Sequence, residues 1–531
     1  MALSDILERG YFPKELPDPF VTAPFAAAVT ASGAMLPAGF NRSFARGYPR
    51  FRAAKPVKYS YARGGGLLRR QFRLPNPVMH YLLCREIDGH WAALQSYIGG
   101  TALSATNPIA APTGRAIQAA QPHSAGRELA IQTRFNSRYI LRADISRFYE
   151  SIYTHSIPWA LHTKATAKAN RRAALLGNRI DYLVRKAQDD QSVGIPIGPD
   201  TSLVIAEMLM QRCDAELLAA YPGIRGHRSI DDYELAFQSR SDAQVALDLL
   251  EGILADYELA LNPRKTEIVD LPCAFEATWV NPLRSFEFRS TASGQRGDLF
   301  AFFDLVFHFH RQYPDDAVMQ YAIRRLRNLK VHSSNWEVFQ RLLLHCATLE
   351  PAALSYVLES IVDQVNAGAS PALNPIGEVV DALITKHSVL AHSSEVAWAL
   401  WACLALGITL SRSAGAAVSK CVDSVVALLA LHCEDEGLVT APLNHSAWAT
   451  YMDGNGLYEE QWLLSYEANV KGWLPSLGRR DHVSADPNFG FLKAAGVSFY
   501  DVSRAVRPAP GAPVPVPTPP TPPPVPTVSP S

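Results

Sequence analysis

Two adjacent aspartates, Asp231 and Asp232, lie between short apolar runs in the segment GHRSIDDYELAF. Neighbouring ionised carboxylates repel each other and lose hydration when they are buried, so a cation is the usual reason to bring them together. Mg²⁺ prefers carboxylate oxygens, keeps several waters and is commonly shared with substrate phosphates. The pair therefore indicates a divalent metal site, whereas an isolated Asp-Asp is more simply a solvated turn.

A third carboxylate comes from another part of the chain. A two-ion clamp for in-line phosphoryl transfer, with ions about 4 Å apart, needs a carboxylate from a second strand. Asp144 ends the strand-like segment YILRAD, well upstream of the pair. We therefore expect Asp144, Asp231 and Asp232 to form one catalytic site, and the alternative is a hairpin turn beside an unrelated strand end.

The segments around these aspartates predict the elements that hold them. RYILRADISRFYESI is typical of a strand that runs into a helical turn. SIDDYELAF predicts a hairpin with the aspartates at its tip, because Asp tolerates turn geometry. GIPIGPDTSLVIAEMLMQRCDAELL predicts a Gly/Pro loop, an Asp/Thr/Ser helix cap and an apolar helix, and ALNPRKTEIVDL predicts a turn and another strand.

The pattern changes between about Leu299 and Leu474. Segments such as NWEVFQRLLLHCATL and EVAWALWACLALGI carry apolar residues at helical spacing, and short polar turns separate them. This predicts stacked antiparallel helices without a clean repeat motif. The expected fold class is α+β, with a mixed first part followed by an all-α, helical-repeat region.

The distribution of charge is more informative than its total. The 531 residues leave room for roughly two to four domains, and the formal net charge is zero. No Asp or Glu occurs between Asp18 and Glu86, where basic and aromatic residues are interleaved. Such a stretch suits phosphate backbones and unstacked bases, and its simpler interpretation is a solvated basic loop.

Other features exclude several classes of protein. Seven scattered cysteines without a CxxC pair are typical of reduced thiols in the cytosol. We expect no signal peptide, because the N-terminus lacks a long apolar stretch, and no membrane partner, because no apolar run is long enough to span a bilayer. The last segment, 504–531, is rich in proline and predicts a disordered tail.

In order and spacing, these segments resemble the palm of a reverse transcriptase. RADISRFYESI is similar to palm motif A, VGIPIGPDTS to motif B, RSIDDYELAF to motif C and LNPRKTEIV to motif D. LRRQFRLPNP resembles the fingers segment that meets the incoming triphosphate, so the resemblance covers roughly Leu67 to Trp279. It implies reverse-transcriptase fingers and palm, and an RNA-directed DNA polymerase with nucleotidyltransferase chemistry.

The resemblance implies a metal site with four ligands. These are the carboxylates of Asp144, Asp231 and Asp232 and the backbone carbonyl of Ile145. They would hold two Mg²⁺ ions, for which Mn²⁺ could substitute.

Five residues near the motifs are implied at the nucleotide. Arg70 would hydrogen-bond the triphosphate, and Tyr149 would lie beneath the sugar and exclude a 2′-OH. Lys265 would approach the pyrophosphate. Gly198 and Pro199 would shape the loop so that the backbone approaches the substrate closely. The alternatives are a core aromatic for Tyr149, a solvated lysine for Lys265 and a simple helix entry for the loop. The neighbours Arg69 and Arg73 are alternatives to Arg70 at the triphosphate.

A narrower resemblance extends along most of the chain. RGYFPKELPDPF, YESIYTHSIPWALH, EEQWLLSYEANVKGWL and VSFYD resemble the abortive-infection and defence-associated reverse transcriptases of bacteria. Members of that group join a palm to a C-terminal helical-repeat domain and synthesise DNA in antiphage defence. Some start from a protein hydroxyl, without a conventional template, and several form homo-oligomers.

This resemblance implies a bacterial cytoplasmic protein whose partners are dNTPs and RNA or DNA, including a non-coding RNA, within a homo-oligomer. Four arginines are expected to contact the nucleic acid: Arg50, Arg52, Arg69 and Arg73. The implied division of the chain has four parts: 1–66, a basic and aromatic segment joining the fingers; 67–285, fingers and palm; 286–503, the helical domain; and 504–531, the tail.

Two departures from the usual motifs favour the defence group. Motif C usually has an aromatic residue where this chain has Ser229, and motif B usually has Gln where it has Ile197. These changes leave the metal ligands intact and place ordinary primer and template handling in doubt. Two alternatives stay open: an RNA-binding, oligomeric scaffold with a polymerase fold, and a retron- or intron-type enzyme that copies RNA.

Overall fold

The computed structural model describes residues 2–64, 69–122 and 125–505. The first residues of the expected fingers segment, Leu67 and Leu68, lie outside these ranges, as does the proline-rich tail from position 506 onward. The described strands, in chain order, are β1 (Val57–Ala62), β2 (Arg69–Leu74), β3 (Pro108–Ala110), β4 (Ile117–Ala119), β5 (Tyr139–Asp144), β6 (Arg225–Ser229), β7 (Asp232–Phe237) and β8 (Glu267–Asp270).

The first eleven helices are interspersed with these strands. They are α1 (Leu3–Arg9), α2 (Ala23–Ser32), α3 (Pro77–Gly89), α4 (Trp91–Ile98), α5 (Gly126–Arg134), α6 (Phe148–Ser151), α7 (Ser156–His162), α8 (Lys164–Ala169), α9 (Leu176–Lys186), α10 (Asp200–Ala220) and α11 (Arg240–Asp256).

Every named element after β8 is a helix. These helices are α12 (Val280–Arg284), α13 (Ala292–Gln312), α14 (Val318–Leu326), α15 (Trp336–Leu349), α16 (Leu354–Asn366), α17 (Leu373–Ser388), α18 (Ser393–Leu406), α19 (Arg412–Val418), α20 (Ser424–Asp435), α21 (Ser446–Ala449), α22 (Trp462–Val470), α23 (His482–Ala485) and α24 (Pro487–Ala494), with short 3₁₀ turns between some of them. The expected α+β class with a helical C-terminal region is confirmed.

A four-stranded antiparallel sheet forms the centre of the first part. Its strand order is β6-β7-β5-β8, so the strand that ends at Asp144 lies between the Asp-Asp hairpin and β8. Helix α11 packs across β5 and β7, with Leu250 and Leu254 fully buried. Leu141 and Leu235 lie opposite each other on β5 and β7, and both are fully buried in this sheet.

The helical region is layered around α18. This helix packs against α16, α17 and α20, and it also contacts strand β1 of the first part. All of its residues are buried, in agreement with a sequence that is apolar on every side. The stacked helices predicted from the apolar spacing are therefore present, and they are joined to the two-stranded β1-β2 ribbon.

The N-terminal segment packs against the far end of the described chain. The amide of Val21 donates to the carbonyl of Phe499 at 3.0 Å, and the amide of Asp501 donates to Pro19 at 2.8 Å. The rings of Phe20 and Tyr500 meet edge to face, with centroids 5.0 Å apart. Among the described residues, no helix is both long and apolar enough to cross a membrane.

Candidate active site

The strand register brings two of the expected catalytic residues together. Asp144, the last residue of β5, lies directly opposite Asp232, the first residue of β7. Asp231 occupies the tight turn between β6 and β7, and its carbonyl accepts a 3.2 Å hydrogen bond from the amide of Ile145. The predicted hairpin thus places all three carboxylates at one edge of the sheet, next to the Ile145 backbone.

The turn itself contains an unusual backbone conformation. Ile230 has a φ of 59°, in the left-handed region that β-branched residues rarely adopt. Its amide donates to Thr106 Oγ1 at 2.9 Å, and its carbonyl accepts from Arg228 Nη1 at 2.7 Å. These two hydrogen bonds hold the backbone of Ile230 in its strained conformation. Because Asp231 is the next residue, they also fix its position.

A buried charge network under the hairpin was not predicted from the sequence. Arg228 is fully buried and forms ion pairs with Glu207 at 2.9 Å and Asp214 at 2.8 Å. The hydroxyl of Tyr233 donates to Asp214 at 2.7 Å, and that of Thr106 donates to Glu207 at 2.6 Å. The available signal was the spacing of two acids, seven residues apart on one face of the apolar helix α10.

Burial and charge act in opposite directions in this network. Burial disfavours the charged form of Arg228, but the two carboxylates outweigh it and raise its pKa well above the usual value. Burial also raises the pKa of Asp214, which Arg228 partly offsets. The network is therefore a satisfied ion cluster that anchors β6 to α10.

The side chain of Asp144 already has two donors. Asn262 Nδ2 donates to one carboxylate oxygen at 2.9 Å, and Lys265 Nζ donates to the other at 2.7 Å. Burial would raise the pKa of Asp144, but these hydrogen bonds and the lysine charge lower it. Lys265 was expected at the pyrophosphate, and in this structure its ammonium contacts the Asp144 carboxylate.

The other two carboxyl groups show the opposite shift. Although part of the Asp232 side chain is open to solvent, the surrounding protein withdraws it from bulk water and raises its pKa to about 7. The negative charge of Asp231 and the hydrogen bond to Asp144 add to this shift. Burial, with a contribution from Asp144, also raises the pKa of Asp231. The positive charge of Lys265 favours the ionised form of all three carboxyl groups, but it contacts only Asp144.

This donor set fits a hard divalent cation. All the candidate ligands are oxygens, and added positive charge would oppose the repulsion from Asp231 and Asp144 that contributes, after burial, to the raised pKa of Asp232. The ligand atoms of the three aspartates do not all lie within 4.8 Å of one another, although Asp144 and Asp232 are hydrogen-bonded. In the described part of the chain, the three-residue group whose ligand atoms all lie within 4.8 Å of one another is His387, His392 and Glu395, in the helical region.

The nucleotide-binding candidates surround the same edge of the sheet. Tyr149 lies on α6, directly after the Asp144 strand; burial raises its pKa, and the charges of Glu207 and Asp231 add to the rise. Arg70 lies on β2, is exposed, and forms no ion pair within the described residues. The positive charge of Arg70 acts to lower the pKa of both Asp231 and Tyr149. An anion bound by Arg70 could therefore lie beside the aspartates.

The loop before α10 is held against strand β2. The amide of Arg73 donates to the carbonyl of Ile197 at 3.0 Å. Gly198 has a φ of 126°, and a Cβ there would lie 3.1 Å from Pro13, so this position requires glycine. Pro199 precedes the helix without a side-chain cap. The expected Asp/Thr/Ser cap is therefore absent.

Asp200, the first residue of α10, has another partner. Its carboxylate accepts a 2.7 Å hydrogen bond from Arg115 Nε and a 2.9 Å bond from the amide of Ile117. Since Asp200 lies inside the first turn, it fixes β4 to the helix instead of capping it.

A further arginine at the site was missed by the sequence analysis. Arg63 follows strand β1, and burial lowers its pKa, as does the neighbouring charge of Arg70. The charges of Asp231 and Asp144 act in the opposite direction. Arg63 therefore lies within electrostatic reach of the aspartates, and its place in the acid-free stretch was the available signal.

Two of the four arginines expected at nucleic acid are engaged within the protein. Arg69 forms a bidentate ion pair with the buried Glu395, with both distances 2.7 Å. Arg52 pairs with Glu459 at 2.9 Å. Arg73 is half-buried, and burial lowers its pKa, whereas Arg50 is exposed.

Comparison with known proteins agrees with this geometry. Residues 102–286 match the family model described as reverse transcriptase (RNA-dependent DNA polymerase). The match includes all three aspartates and ends before most of the helical region. The expected enzyme class, an RNA-directed DNA polymerase and therefore a nucleotidyltransferase, is confirmed.

Among solved structures, the chain is similar to two yeast telomerases. Apo telomerase from Candida tropicalis shares 10% identity over 66% of this chain and 69% of that chain, with a TM-score of 0.32. Telomerase from Candida albicans, in complex with a fragment of telomeric RNA, shares 12% identity over 66% of each chain, with a TM-score of 0.28. No curated protein matches the chain.

Proposed function

We propose that this protein, whose residues 102–286 match a reverse transcriptase domain, is a Mg²⁺-dependent DNA polymerase of bacterial antiphage defence. The observation that carries the polymerase part is the pairing of Asp144 with Asp232 across adjacent strands, with Asp231 in the turn. The cytoplasm of a bacterium is the proposed location, and dNTPs are the proposed substrates.

The residues of the chain have distinct tasks in this proposal. When bound, Mg²⁺ would lower the pKa of the attacking hydroxyl and neutralise the leaving pyrophosphate. Asp144, Asp231, Asp232 and the Ile145 carbonyl would hold the ions. Lys265 donates a hydrogen bond to Asp144. A cation bound to that carboxylate would neutralise it and free the lysine ammonium to approach the pyrophosphate.

Selection of the nucleotide is assigned to residues around the carboxylates. Arg70 would donate to the triphosphate with the bidentate geometry that guanidinium provides. Tyr149 would lie beneath the sugar and exclude a 2′-OH. Gly198 would let the loop backbone approach the substrate closely, since glycine carries no side chain.

The defence role and the unusual priming rest on the motif departures and on the helical region. Ser229 pairs with Asp232 at the end of the hairpin, where an aromatic residue would lie near a primer end. Ile197 is tied through its backbone to β2 and has no amide side chain for a template-paired nucleotide. We propose synthesis that is untemplated or starts from a protein hydroxyl, in a homo-oligomer that binds RNA or DNA, including a non-coding RNA.

The first test is incorporation of labelled dNTPs by the purified full chain with Mg²⁺. We expect activity in the wild type and a loss of at least about 1,000-fold in Asp231→Asn/Asp232→Asn, since metal binding at the transition state is removed. The matched control is Asp189→Asn/Asp190→Asn, an adjacent and exposed pair with left-handed backbone that Asn tolerates. The control should keep wild-type activity.

Treatment of the products separates the modes of synthesis. A label that shifts after protease digestion would mean DNA attached to protein, and synthesis abolished by RNase would indicate an RNA template, as in retron or intron enzymes. Absence of incorporation, even with co-expressed RNA or phage extract, would contradict the polymerase and favour an RNA-binding scaffold.

A further inference from the structure

A large groove adjoins the catalytic site but contains none of the residues predicted there. Its volume is about 1120 Å³, and its walls include Tyr48, Tyr153, Trp159 and Tyr182. Ser151 and Val193 also line it. Ser151 ends the short helix that carries Tyr149, and Val193 lies just before the Gly198 loop, so the groove begins where the catalytic elements end.

The aromatic walls of the groove carry cations on their faces. Lys164 Nζ lies 4.6 Å from the ring centroid of Trp159, and Lys168 Nζ lies 5.7 Å from it. The guanidinium of Arg185 lies 5.9 Å from the ring of Tyr182, whose centroid is 4.9 Å from that of Tyr48. Aromatic faces flanked by cations can stack bases and attract phosphates at the same time.

Two acid-free stretches of the chain meet at this groove. The first lies between Asp18 and Glu86; the second, 151–180, also lacks Asp and Glu and carries five basic residues: Lys164, Lys168, Arg171, Arg172 and Arg179. The hydroxyl of Tyr48, from the first stretch, donates to the carbonyl of Arg171 at 2.9 Å. The fold therefore joins two basic segments that are separated in sequence.

Several of these cations are available to a ligand. Lys168, Arg171 and Arg172 are exposed, and none forms an ion pair with a carboxylate of the described residues. Asp181, a carboxylate in the groove wall, is engaged by His155 at 2.9 Å and by Arg185 at 3.1 Å. A second carboxylate, Glu258, lines the groove and is exposed. The open charge is still net positive, because Lys168 and Arg171 line the groove and Arg172 follows directly in sequence.

We propose that this groove binds single-stranded nucleic acid. A strand would stack its bases on Trp159, Tyr182 and Tyr48 and place its phosphates beside Lys168, Arg171 and Arg172. A single strand fits because its bases are free to reach the aromatic faces, whereas a duplex keeps them stacked. The inference deepens the proposed function and rests on it for the role of the strand, which would lead to or from the polymerase site.

The test is direct binding, measured without dNTPs and with EDTA so that no synthesis occurs. Fluorescence anisotropy would follow labelled oligo(dT) and oligo(U) of about 20 nucleotides, long enough to cover one single-strand site. The variant is Lys168→Glu/Arg171→Glu/Arg172→Glu. Its matched control, Lys420→Glu/Arg311→Glu/Arg412→Glu, changes the same charges at exposed positions of the helical region.

We expect the groove variant to bind at least about tenfold more weakly, and the control to stay within about twofold of wild type. Each phosphate that the protein neutralises on a single strand adds about 0.7 to the steepness of log K against log salt, so removing three such cations should reduce the steepness by about 2. Equal affinity and equal slope in the groove and control variants would overturn the proposal. Equal competition by a duplex would overturn its single-strand part.

Two substitutions of Trp159 test the aromatic wall of the groove independently of charge. Trp159 is only partly buried, so Trp159→Ala should fold, and circular dichroism and a melting temperature would verify this. Loss of a stacked base should weaken binding by about tenfold in Trp159→Ala and much less in Trp159→Phe. Unchanged binding in the folded Trp159→Ala variant would remove Trp159 from the site.

The two proposals can fail separately. Groove-dependent binding in a protein that never incorporates dNTPs would retain the groove and remove the polymerase. Normal binding by the groove variant of an active polymerase would retain the polymerase and remove the groove.

Discussion

At the scale of single residues, the site is defined by an imbalance of charge. Asp231 and Asp232 have raised pKa values, while Asp144 has a lowered one because Lys265 and Asn262 donate to it. Lys265 thus supplies part of the positive charge that the three aspartates require. The sequence identified Asp144, Asp231 and Asp232 through their spacing, but it held no sign that Lys265 would pair with Asp144.

The raised pKa of Asp232 provides a test of this imbalance. Between the usual carboxyl pKa and about 7, the folded protein binds more protons at Asp232 than the unfolded chain does, so this group makes stability fall as pH rises. Asp232→Asn removes the effect. In EDTA, we expect the variant to melt about 1–2 °C above wild type at pH 8 and equal to it near pH 4.

Scanning fluorimetry would make this comparison, and Mg²⁺ supplies its control. Added Mg²⁺ should raise the melting temperature of the wild type at pH 8 and leave Asp232→Asn nearly unchanged. A difference in melting temperature that does not change with pH would show that the folded protein does not raise the pKa of Asp232.

At the scale of elements, the Asp-Asp hairpin depends on the helix behind it. Arg228, on β6, is buried between Glu207 and Asp214 of α10, and the same guanidinium holds the carbonyl of Ile230 in the turn. Apolar periodicity predicts α10 and alternation predicts β7. The packing of one on the other could not be predicted, because it depends on which face of α10 lies under the hairpin.

Arg228→Met should be strongly destabilising. It leaves two carboxylates buried without their cation, which typically costs about 3–5 kcal/mol. Arg225→Met, on the same strand, removes an exposed arginine that bonds to backbone carbonyls and should cost less than about 1 kcal/mol. Urea denaturation followed by circular dichroism would measure both, and similar losses would mean that the buried network does not anchor the hairpin.

At the scale of the whole molecule, the helical region supports the ribbon that carries Arg70. The amides of Ser60 and Ala62, on the edge strand β1, donate to the hydroxyls of Ser393 and Ser394 at 3.0 and 3.1 Å. On the partner strand, Arg69 pairs with Glu395 of the same helix, α18.

The sequence predicted both regions from their periodicities. Arg69, which the resemblance placed at nucleic acid, pairs with Glu395, 326 residues away, and no local pattern connects the two. The ion pair of Arg52 could not be predicted either, since its partner, Glu459, is also distant in sequence. Periodicity and motif order are local properties, whereas the ion pairs that engage these arginines depend on how the two regions dock.

This docking predicts that a change in the helical region alters nucleotide binding. Glu395→Gln leaves Arg69 without its buried carboxylate and should loosen β2, on which Arg70 is the next residue. If Arg70 binds the triphosphate, the KM for dNTP should rise by about tenfold while kcat changes less, since the weakened interaction positions substrate in the ground and transition states alike. Steady-state incorporation with the full chain would measure both constants.

The matched control removes an ion pair between the helical region and the same ribbon. Glu460→Gln removes the partner of Lys58 on β1, an exposed pair at 2.6 Å that should contribute little. We expect this control to keep the wild-type KM. A tenfold rise in both variants would mean that any change near the ribbon disturbs the site, whereas an unchanged KM in Glu395→Gln would mean that the polymerase positions Arg70 without the helical region. A selective rise would make α18 a working part of the nucleotide site, although it follows the matched reverse transcriptase domain by more than a hundred residues.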